Sequence, residues 1–183
     1  TTDLVARLGY MIHCCGIHAE NILTMTYTIA ATADIKARFC LFFGEKSASG
    51  LQFRTINGVC AKIIQRYERT LGRSAFELLT DEKEIARLLS SIYKNVTGQF
   101  ATESDIKNLR ALITYAKNMM LSEDEIKNLD EKEEHFSEIY KKYASELKNH
   151  HFMDYDDQMV YAYRILQKYP PMLERLRKQY PYI

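Results

Sequence analysis

The chain of 183 residues is long enough to bury one good hydrophobic core and a second, smaller one. Its 46% hydrophobic and 27% charged residues are typical of a folded globular protein and exclude a disordered chain. The formal net charge of +1 gives no overall attraction to nucleic acid, so any basic surface must be local. No apolar run approaches the roughly 20 residues that span a bilayer, and no signal peptide opens the sequence. We therefore expect no membrane partner and a cytoplasmic location.

Cysteine and histidine cluster in the N-terminal third without a metal-binding spacing. We expect free, buried thiols rather than a disulfide framework, which favours a reducing compartment. Adjacent cysteines chelate zinc poorly and no second Cys or His pair follows, so we expect no metal site here. The residues concerned are His13, Cys14, Cys15, His18, Cys40 and Cys60.

The first 72 residues alternate between helical and strand patterns. A helix over 1–13 precedes the loop around Gly16, and the sequence begins inside that helix or at its first turn. The apolar and β-branched run Ile22–Thr28 predicts a buried strand, and Ala30–Phe43 predicts the helix that follows it. The turn Thr28–Ala31 then lies at the carboxyl edge of the strand, where open α/β sheets bind their ligands.

A second strand–helix pair follows. Gly44–Gly50 reads as a polar loop, Leu51–Ile56 alternates as a strand, and Val59–Leu71 is again helical. Helix, strand, helix, strand and helix in this order predict a parallel α/β architecture with right-handed crossovers.

From Phe76 to His150 the pattern is helical, and no strand is predicted. Thr80 caps a helix that runs to about Val96, and Thr102 or Ser104 caps the next. Further on, Ser122–Glu125 forms a capping box for a short helix, and Asp130–Lys148 carries a single apolar stripe. We interpret this stretch as a small helical module.

The last segment returns to a mixed pattern. Asp154 caps a helix with Asp157 at its third position, and Pro170–Pro171 ends that helix before a basic one over Met172–Gln179. Tyr182–Ile183 reads as the first residues of a strand. Three aspartates could suggest a metal site, but helix capping explains the cluster, so we expect no metal: Asp154, Asp156 and Asp157.

Four segments together resemble the superfamily-one DNA helicases of the UvrD, Rep and PcrA type. TYTIAATADIKARF at 26–39 resembles the family's T-F-T-N-K-A-A-x-E-M-x-x-R motif, and FRTINGVCAKII at 53–64 resembles T-F-H-S-x-x-x-x-I-L. MDYDDQMVYAYRIL at 153–166 is similar to the D-F-D-D-L-L helix, and LERLRKQYPYI at 173–183 to the segment that leads into the Walker B strand. Order and spacing agree along the whole chain.

The resemblance implies a predominantly helical α/β fold, namely part of a P-loop NTPase (RecA-like) parallel sheet with an all-α insertion. It assigns 1–75 and 151–183 to motor domain 1A and 76–150 to the helical subdomain 1B. Thr1 falls on the last position of the Walker A motif, which makes Thr1 and Thr2 candidates for contact with ATP and Mg²⁺. The segment contains neither the phosphate-binding Lys nor the metal-binding acidic pair. By resemblance, the intact protein uses ATP and Mg²⁺, whereas the fragment alone binds no cofactor, has no catalytic residue and is inactive as an ATPase.

The same resemblance implies contacts with single-stranded DNA. Tyr27 takes the position of the aromatic residue that stacks on a base, while Thr28, Thr55 and Asn57 are candidates for hydrogen bonds to phosphates. Alternatively, Tyr27 is a core residue of the strand, and the two threonines only stabilise turns. Five basic residues of the helical module either contact duplex DNA or simply lie on solvated helix faces: Arg110, Lys117, Lys141, Lys142 and Lys148.

Two departures from the family motifs leave the function open. Ile29–Ala30 replaces Asn-Lys, and Asn57–Gly58 replaces His-Ser. We therefore hold two hypotheses: a fragment of an active helicase, or a degenerate relative that serves as a DNA-binding or protein-interaction module. The implied partners are single strands, single/double-strand junctions and the remaining helicase domains. Exposed apolar surface at a partial sheet also favours self-association of the isolated fragment.

Overall fold

The computed structural model describes residues 2–72, 74 and 76–183, and Thr1 lies outside this part of the chain. Within the described residues the helices are α1 (Thr2–His13), α2 (Ile29–Ala48), α3 (Ile56–Leu71), α4 (Glu82–Thr97), α5 (Glu103–Asn118), α6 (Glu123–Asn128), α7 (Phe136–Asn149), α8 (Tyr155–Lys168) and α9 (Pro170–Gln179). The strands are β1 (Leu23–Thr26), β2 (Gln52–Thr55), β3 (Glu77–Leu78) and β4 (Phe152–Met153). No helix among these described residues is long and apolar enough to cross a membrane.

The chain divides into two compact units. Thr1–Ile63 together with Tyr163–Ile183 forms the first, and Ile64–Ala162 forms the second. The prediction of a helix-rich α/β protein is confirmed. The assignment of 1–75, 76–150 and 151–183 to helicase subdomains stays a prediction.

A parallel pair of strands organises the first unit. β1 pairs with β2 in a register that places Thr26 opposite Thr55. On the other side of β1, Ile22 forms a parallel bridge with Tyr182, where the Leu23 amide donates to the Tyr182 carbonyl over 3.0 Å. One hydrophobic cluster covers the sheet, with the buried residues Val5, Leu8, Ile22, Ile35, Phe39 and Leu51.

Three expectations for this unit are wrong in detail. The first strand spans only Leu23–Thr26, because Thr28 leaves the sheet to cap α2. The predicted loop Gly44–Gly50 is largely helical, since α2 bends at Gly44 (φ 80°, ψ 159°) and continues to Ala48. Glycine adopts this positive φ at little cost, so the chain can bend and resume the helix. The thiols of Cys14 and Cys15 are free but exposed rather than buried.

The second unit is built around a helical core. Thirteen buried residues form one cluster: Leu79, Ile85, Leu89, Ile92, Leu109, Ile113, Ala116, Ile126, Leu129, Phe136, Ile139, Tyr143 and Leu147. The predicted caps at Thr102 and Ser122 are confirmed as reciprocal capping boxes with Asp105 and Glu125. Each box supplies acceptors for backbone N–H groups that the start of a helix would leave unpaired.

Other helix boundaries in this unit differ from the sequence predictions. Asp81, not Thr80, caps α4, and its carboxylate accepts from the Lys83 amide at 2.8 Å. The helix predicted over Asp130–Lys148 begins only at Phe136, because His135 before it adopts a left-handed backbone conformation (φ 64°) that a helix cannot contain. The Asp130 carboxylate accepts the amide and hydroxyl of Ser137 in the first turn, each at 2.7 Å.

The expectation of no strand between Phe76 and His150 is also wrong. β3 pairs in parallel with β4, with Glu77 opposite Phe152 and Leu78 opposite Met153. Strands of two residues are too short to show the alternation by which a sequence predicts a strand.

Candidate nucleic-acid interface

The four residues predicted to contact single-stranded DNA lie at one edge of the β1–β2 sheet. Because the strands are parallel and Thr26 pairs with Thr55, both strands end at the same edge. Tyr27 and Thr28 follow β1 there, and Asn57 follows β2 by two residues. The structure thus places Tyr27, Thr28, Thr55 and Asn57 on two neighbouring strand–helix turns.

Tyr27 projects from this edge with 88% of its surface exposed, which excludes the alternative that it is a core residue. The turn that carries it is held by hydroxyl groups. The Oγ1 atoms of Thr26 and Thr32 lie 2.5 Å apart, and each lies 3.0 Å from the Thr28 carbonyl oxygen. These contacts fix the backbone on both sides of Tyr27, so its ring is presented from an ordered turn.

Thr28 and Thr55 play equivalent roles at the two turns. The Thr28 hydroxyl accepts the Ala31 amide at 3.1 Å and caps α2, while the Thr55 hydroxyl accepts the Gly58 amide at 3.0 Å at the start of α3. A hydroxyl that accepts one bond keeps its own proton to donate elsewhere. The turn-stabilising role considered from the sequence is therefore present, and donation to a phosphate stays a prediction.

Gly58, one of the departures from the family motif, lies against the cap at the start of α3. A Cβ atom added at Gly58 would lie 3.0 Å from the Thr55 hydroxyl oxygen, so a larger residue there would crowd the cap. Beside it, the Oδ1 atom of Asn57 is buried and has no hydrogen-bond partner among the described residues. The Asn57 side chain is only partly exposed.

Ile29 changes the character of the first turn. Its side chain is 81% exposed, two residues after the exposed Tyr27. The loss of the polar residue expected from the motif is therefore accompanied by a gain of apolar surface beside the aromatic ring. The N-termini of α2 and α3 also begin at this edge, and their partial positive charge favours an anionic ligand.

The five basic residues of the helical module differ in their burial and in their ion-pair partners. Lys117 is 5% exposed and forms ion pairs with Asp154 at 2.6 Å and Asp157 at 2.8 Å, so the expectation that it contacts DNA or lies on a solvated face is wrong. Arg110 pairs with Glu82. The remaining pairs are exposed: Lys141 with Glu123 at 3.7 Å and Lys142 with Glu138 at 3.0 Å. Lys148 lies in the last turn of α7 and is exposed.

The buried ion pair between Lys117 and Asp154 joins α5 to the start of α8. Asp154 also caps α8 by accepting the Asp157 amide at 2.8 Å, and it accepts the Tyr143 hydroxyl at 3.1 Å. Burial disfavours the charge on Lys117, but the two carboxylates outweigh it and raise its pKa. Although burial opposes ionisation of Asp154, the Lys117 charge and the hydrogen bonds lower its pKa. Burial, aided by the Asp154 charge, raises the pKa of Asp157.

Among the described residues, no group of three or more His, Cys, Asp or Glu side chains is arranged to hold a metal ion. The three aspartates near the start of α8 are instead occupied with protein partners. Asp156 accepts the Thr114 hydroxyl at 2.7 Å and the Asn118 amide at 3.0 Å.

Of the two residues predicted to contact ATP and Mg²⁺, Thr1 lies outside the described residues, and Thr2 is the exposed first residue of α1. A threonine hydroxyl at a helix N-terminus suits a phosphate or a magnesium-bound water. Among the described residues, α1 contains no lysine beside this threonine.

A parallel sheet whose two strands each lead into a helix at the same edge, together with a helical module that has its own core, defines a helix-rich α/β protein. Comparison with known protein families identifies the family to which it belongs. The UvrD/REP helicase N-terminal domain matches residues 1–183, and the chain belongs to this family.

Curated relatives agree with this assignment. The chain is 24% identical over 188 residues to the ATP-dependent DNA helicase PcrA of Leuconostoc citreum, covering 100% of this chain and 25% of that protein. It is 26% identical over 188 residues to the ATP-dependent DNA helicase Rep of Escherichia coli, covering 100% of this chain and 27% of that protein. It is 27% identical over 197 residues to the ATP-dependent DNA helicase srs2 of Schizosaccharomyces pombe, covering 97% of this chain and 22% of that protein. The chain thus spans about a quarter of the length of these relatives.

Proposed function

We propose that the chain is part of an ATP-dependent DNA helicase or translocase of the UvrD type, and that the edge formed by Tyr27, Thr28, Thr55 and Asn57 contacts single-stranded DNA. The observation that carries this proposal is the 88% exposure of Tyr27 on an ordered turn between β1 and α2. An exposed aromatic ring at this position is free to stack on a base of a bound strand. Stacking on a base is indifferent to base identity, as a motor that moves along a strand requires.

The domain assignment belongs to the same proposal. Residues 1–75 and 151–183 contribute to motor domain 1A, and 76–150 forms subdomain 1B. The separate hydrophobic core of the second unit supports an independent helical subdomain. In the intact protein we expect single strands, single/double-strand junctions and the remaining helicase domains as partners, and the cytoplasm as the location.

The nucleotide chemistry lies mainly outside these residues. In the intact protein, hydrolysis of ATP with Mg²⁺ as cofactor supplies the free energy for movement, and Thr1 and Thr2 are the candidates for contact with them. The isolated fragment is expected to bind neither and to have no ATPase activity. Its exposed apolar side chains, among them Leu41 at 80% and Ile183 at 82%, support self-association when it is separated from the other domains.

A second candidate function is a helicase-like DNA-binding or protein-interaction module without motor activity. The exposed Ile29 in place of a polar residue favours it, because an apolar side chain at this edge also suits a protein partner. The two candidates differ in whether ATP turnover accompanies DNA binding.

The proposal is tested by measuring DNA binding and ATP turnover of the intact protein. We expect a labelled oligo-dT strand to bind more tightly than a duplex of equal length at the same salt concentration, and to stimulate ATP hydrolysis. Binding without any turnover would select the module without motor activity. Failure to bind single strands would contradict the proposed interface.

A further inference from the structure

Two adjacent cysteines lie in the turn that follows α1. Cys14 and Cys15 are both free and both exposed, whereas Cys40 and Cys60 are partly buried. The proposed DNA contacts involve neither of the two exposed thiols. Because free cysteine is usually buried in a folded protein, two neighbouring thiols in contact with solvent are uncommon and are accessible to oxidants.

Backbone hydrogen bonds tie this turn to α1. The amides of Cys14 and Cys15 both donate to the Tyr10 carbonyl, at 2.9 Å and 3.1 Å, and the Ile17 amide donates to the Met11 carbonyl at 3.0 Å. Bonds of this kind satisfy carbonyl groups that the end of a helix would leave unpaired. The turn is therefore ordered through its backbone, while both cysteine side chains stay accessible.

The two thiols stay within reach of each other because their residues are neighbours in the chain. The peptide bond between them is trans, which places their Cα atoms about 3.8 Å apart. Most disulfides span roughly 4.4–6.8 Å between Cα atoms, so a bond between neighbours requires their shared peptide unit to rotate. Here that unit lies beyond His13, the last residue of α1, and its rotation breaks only bonds at the exposed end of the helix.

We propose that Cys14 and Cys15 form a redox-sensitive pair, which hydrogen peroxide converts reversibly into a disulfide between the two neighbours. Peroxide first oxidises one thiol to a sulfenic acid and is itself reduced to water. The second sulfur then attacks the first, the S–OH bond breaks, and the hydroxide takes the proton of the second thiol and leaves as another water. Two electrons thus pass from the pair of thiols to one peroxide. Because a disulfide with so short a span is strained, exchange with a small thiol such as glutathione reduces it again.

The disulfide would loosen the turn that leads from α1 towards β1. The peptide unit that must rotate carries the Cys15 amide, so its bond to the Tyr10 carbonyl is lost first. The Ile17 amide, two residues further on, then loses its alignment with the Met11 carbonyl. The Cys14 amide belongs to the preceding peptide unit and can keep its bond. This device is independent of the proposed function, since no DNA contact enters it.

The test treats the intact protein with hydrogen peroxide, unfolds it in iodoacetamide to label every remaining thiol, and maps the tryptic peptides by mass spectrometry. Cleavage after Arg7 and Lys36 yields the peptide 8–36, which contains the two neighbouring cysteines and no other. We expect this peptide to lose two hydrogen atoms and to take up no iodoacetamide, and to take up label at both thiols after reduction with dithiothreitol. Cys40 and Cys60 fall in separate peptides and have no adjacent thiol, so they should stay labelled. Burial also raises the pKa of the Cys60 thiol, which slows its oxidation.

Cys14→Ser and Cys15→Ser are the matched variants, because each leaves one thiol on the same turn and changes only an exposed side chain. In either variant peroxide should give a sulfenic acid that dimedone traps, without the loss of two hydrogen atoms. Unchanged labelling of both thiols in the unsubstituted protein would overturn the inference. A disulfide that joins two copies of the chain, or irreversible oxidation of either cysteine to a sulfinic acid, would overturn it as well.

Hydrogen exchange of the oxidised protein at residue resolution tests the effect on the turn. We expect the amides of Cys15 and Ile17 to exchange about 2- to 12-fold faster, which corresponds to the loss of one hydrogen bond at each. The Cys14 amide should be unaffected, and dithiothreitol should restore the original rates. If Cys15 and Ile17 exchanged no faster after oxidation, the disulfide would not act on the turn, and the proposed loosening would be wrong.

Discussion

Replacing Lys117 by Ala is expected to loosen the helical unit more than any other single change of a charged residue in it. Lys117 is 5% exposed, and its ammonium pairs with Asp154 at 2.6 Å and with Asp157 at 2.8 Å, so its removal leaves two carboxyl groups close together without a counter-ion. Breaking a buried ion pair from one side costs about 3–5 kcal/mol. Hydrogen exchange of the intact protein should show amides of α5 and the first turn of α8 exchanging at least about a hundredfold faster.

Two further variants separate charge from packing in this cluster. Lys142→Ala removes an exposed lysine paired with Glu138 on the same helix. It should change the free energy of opening measured by hydrogen exchange by less than about 0.5 kcal/mol. Lys117→Met combined with Asp154→Asn removes two opposite charges and keeps a side chain able to cap α8, so it should recover part of the loss. If Lys117→Ala exchanged no faster than Lys142→Ala, the pair would not stabilise this junction.

Replacing Tyr27 by Ala should weaken binding of single strands by about 5- to 150-fold, which corresponds to the roughly 1–3 kcal/mol of one base–aromatic stack. The side chain is 88% exposed, so folding should be unaffected. Tyr27→Phe keeps the ring and should retain most of the affinity. Because stacking involves no phosphate, the salt dependence of binding should stay the same in both variants.

Tyr10 provides the matched control for this measurement. It is an aromatic residue of the same unit, 62% exposed on α1 and away from the strand edge. Tyr10→Ala should bind oligo-dT as the unsubstituted protein does. Equal affinity of Tyr27→Ala and Tyr10→Ala at fixed salt would remove Tyr27 from the DNA path.

Local chemistry made several features predictable from the sequence. The capping boxes at Thr102 and Ser122 are complete within four residues, and the structure shows both. After Thr28 the spacing of apolar residues changes from strand-like to helix-like, which indicated where a strand passes into a helix. The structure agrees, since β1 pairs in parallel with β2 and each leads into a helix. Such signals need no knowledge of distant residues.

Features that depend on distant partners were not predictable in this way. Lys117 resembles any helix-surface lysine until Asp154, 37 residues later, is brought against it. The Asp130 carboxylate accepts from Ser137, seven residues on, whereas the apolar stripe predicted one helix that contains both residues. The same holds for Arg54, whose Nε atom is buried only once β2 has paired and the surrounding side chains have packed.

The most direct test of the DNA-contacting edge is photocrosslinking of the intact protein to an oligo-dT strand that contains 4-thiothymidine, followed by peptide mapping. We expect crosslinks within this chain to fall on the turn after β1, at Tyr27 and its neighbours, and on the turn after β2 near Asn57. Crosslinks found only on the helical unit Ile64–Ala162, or on neither turn, would contradict the account.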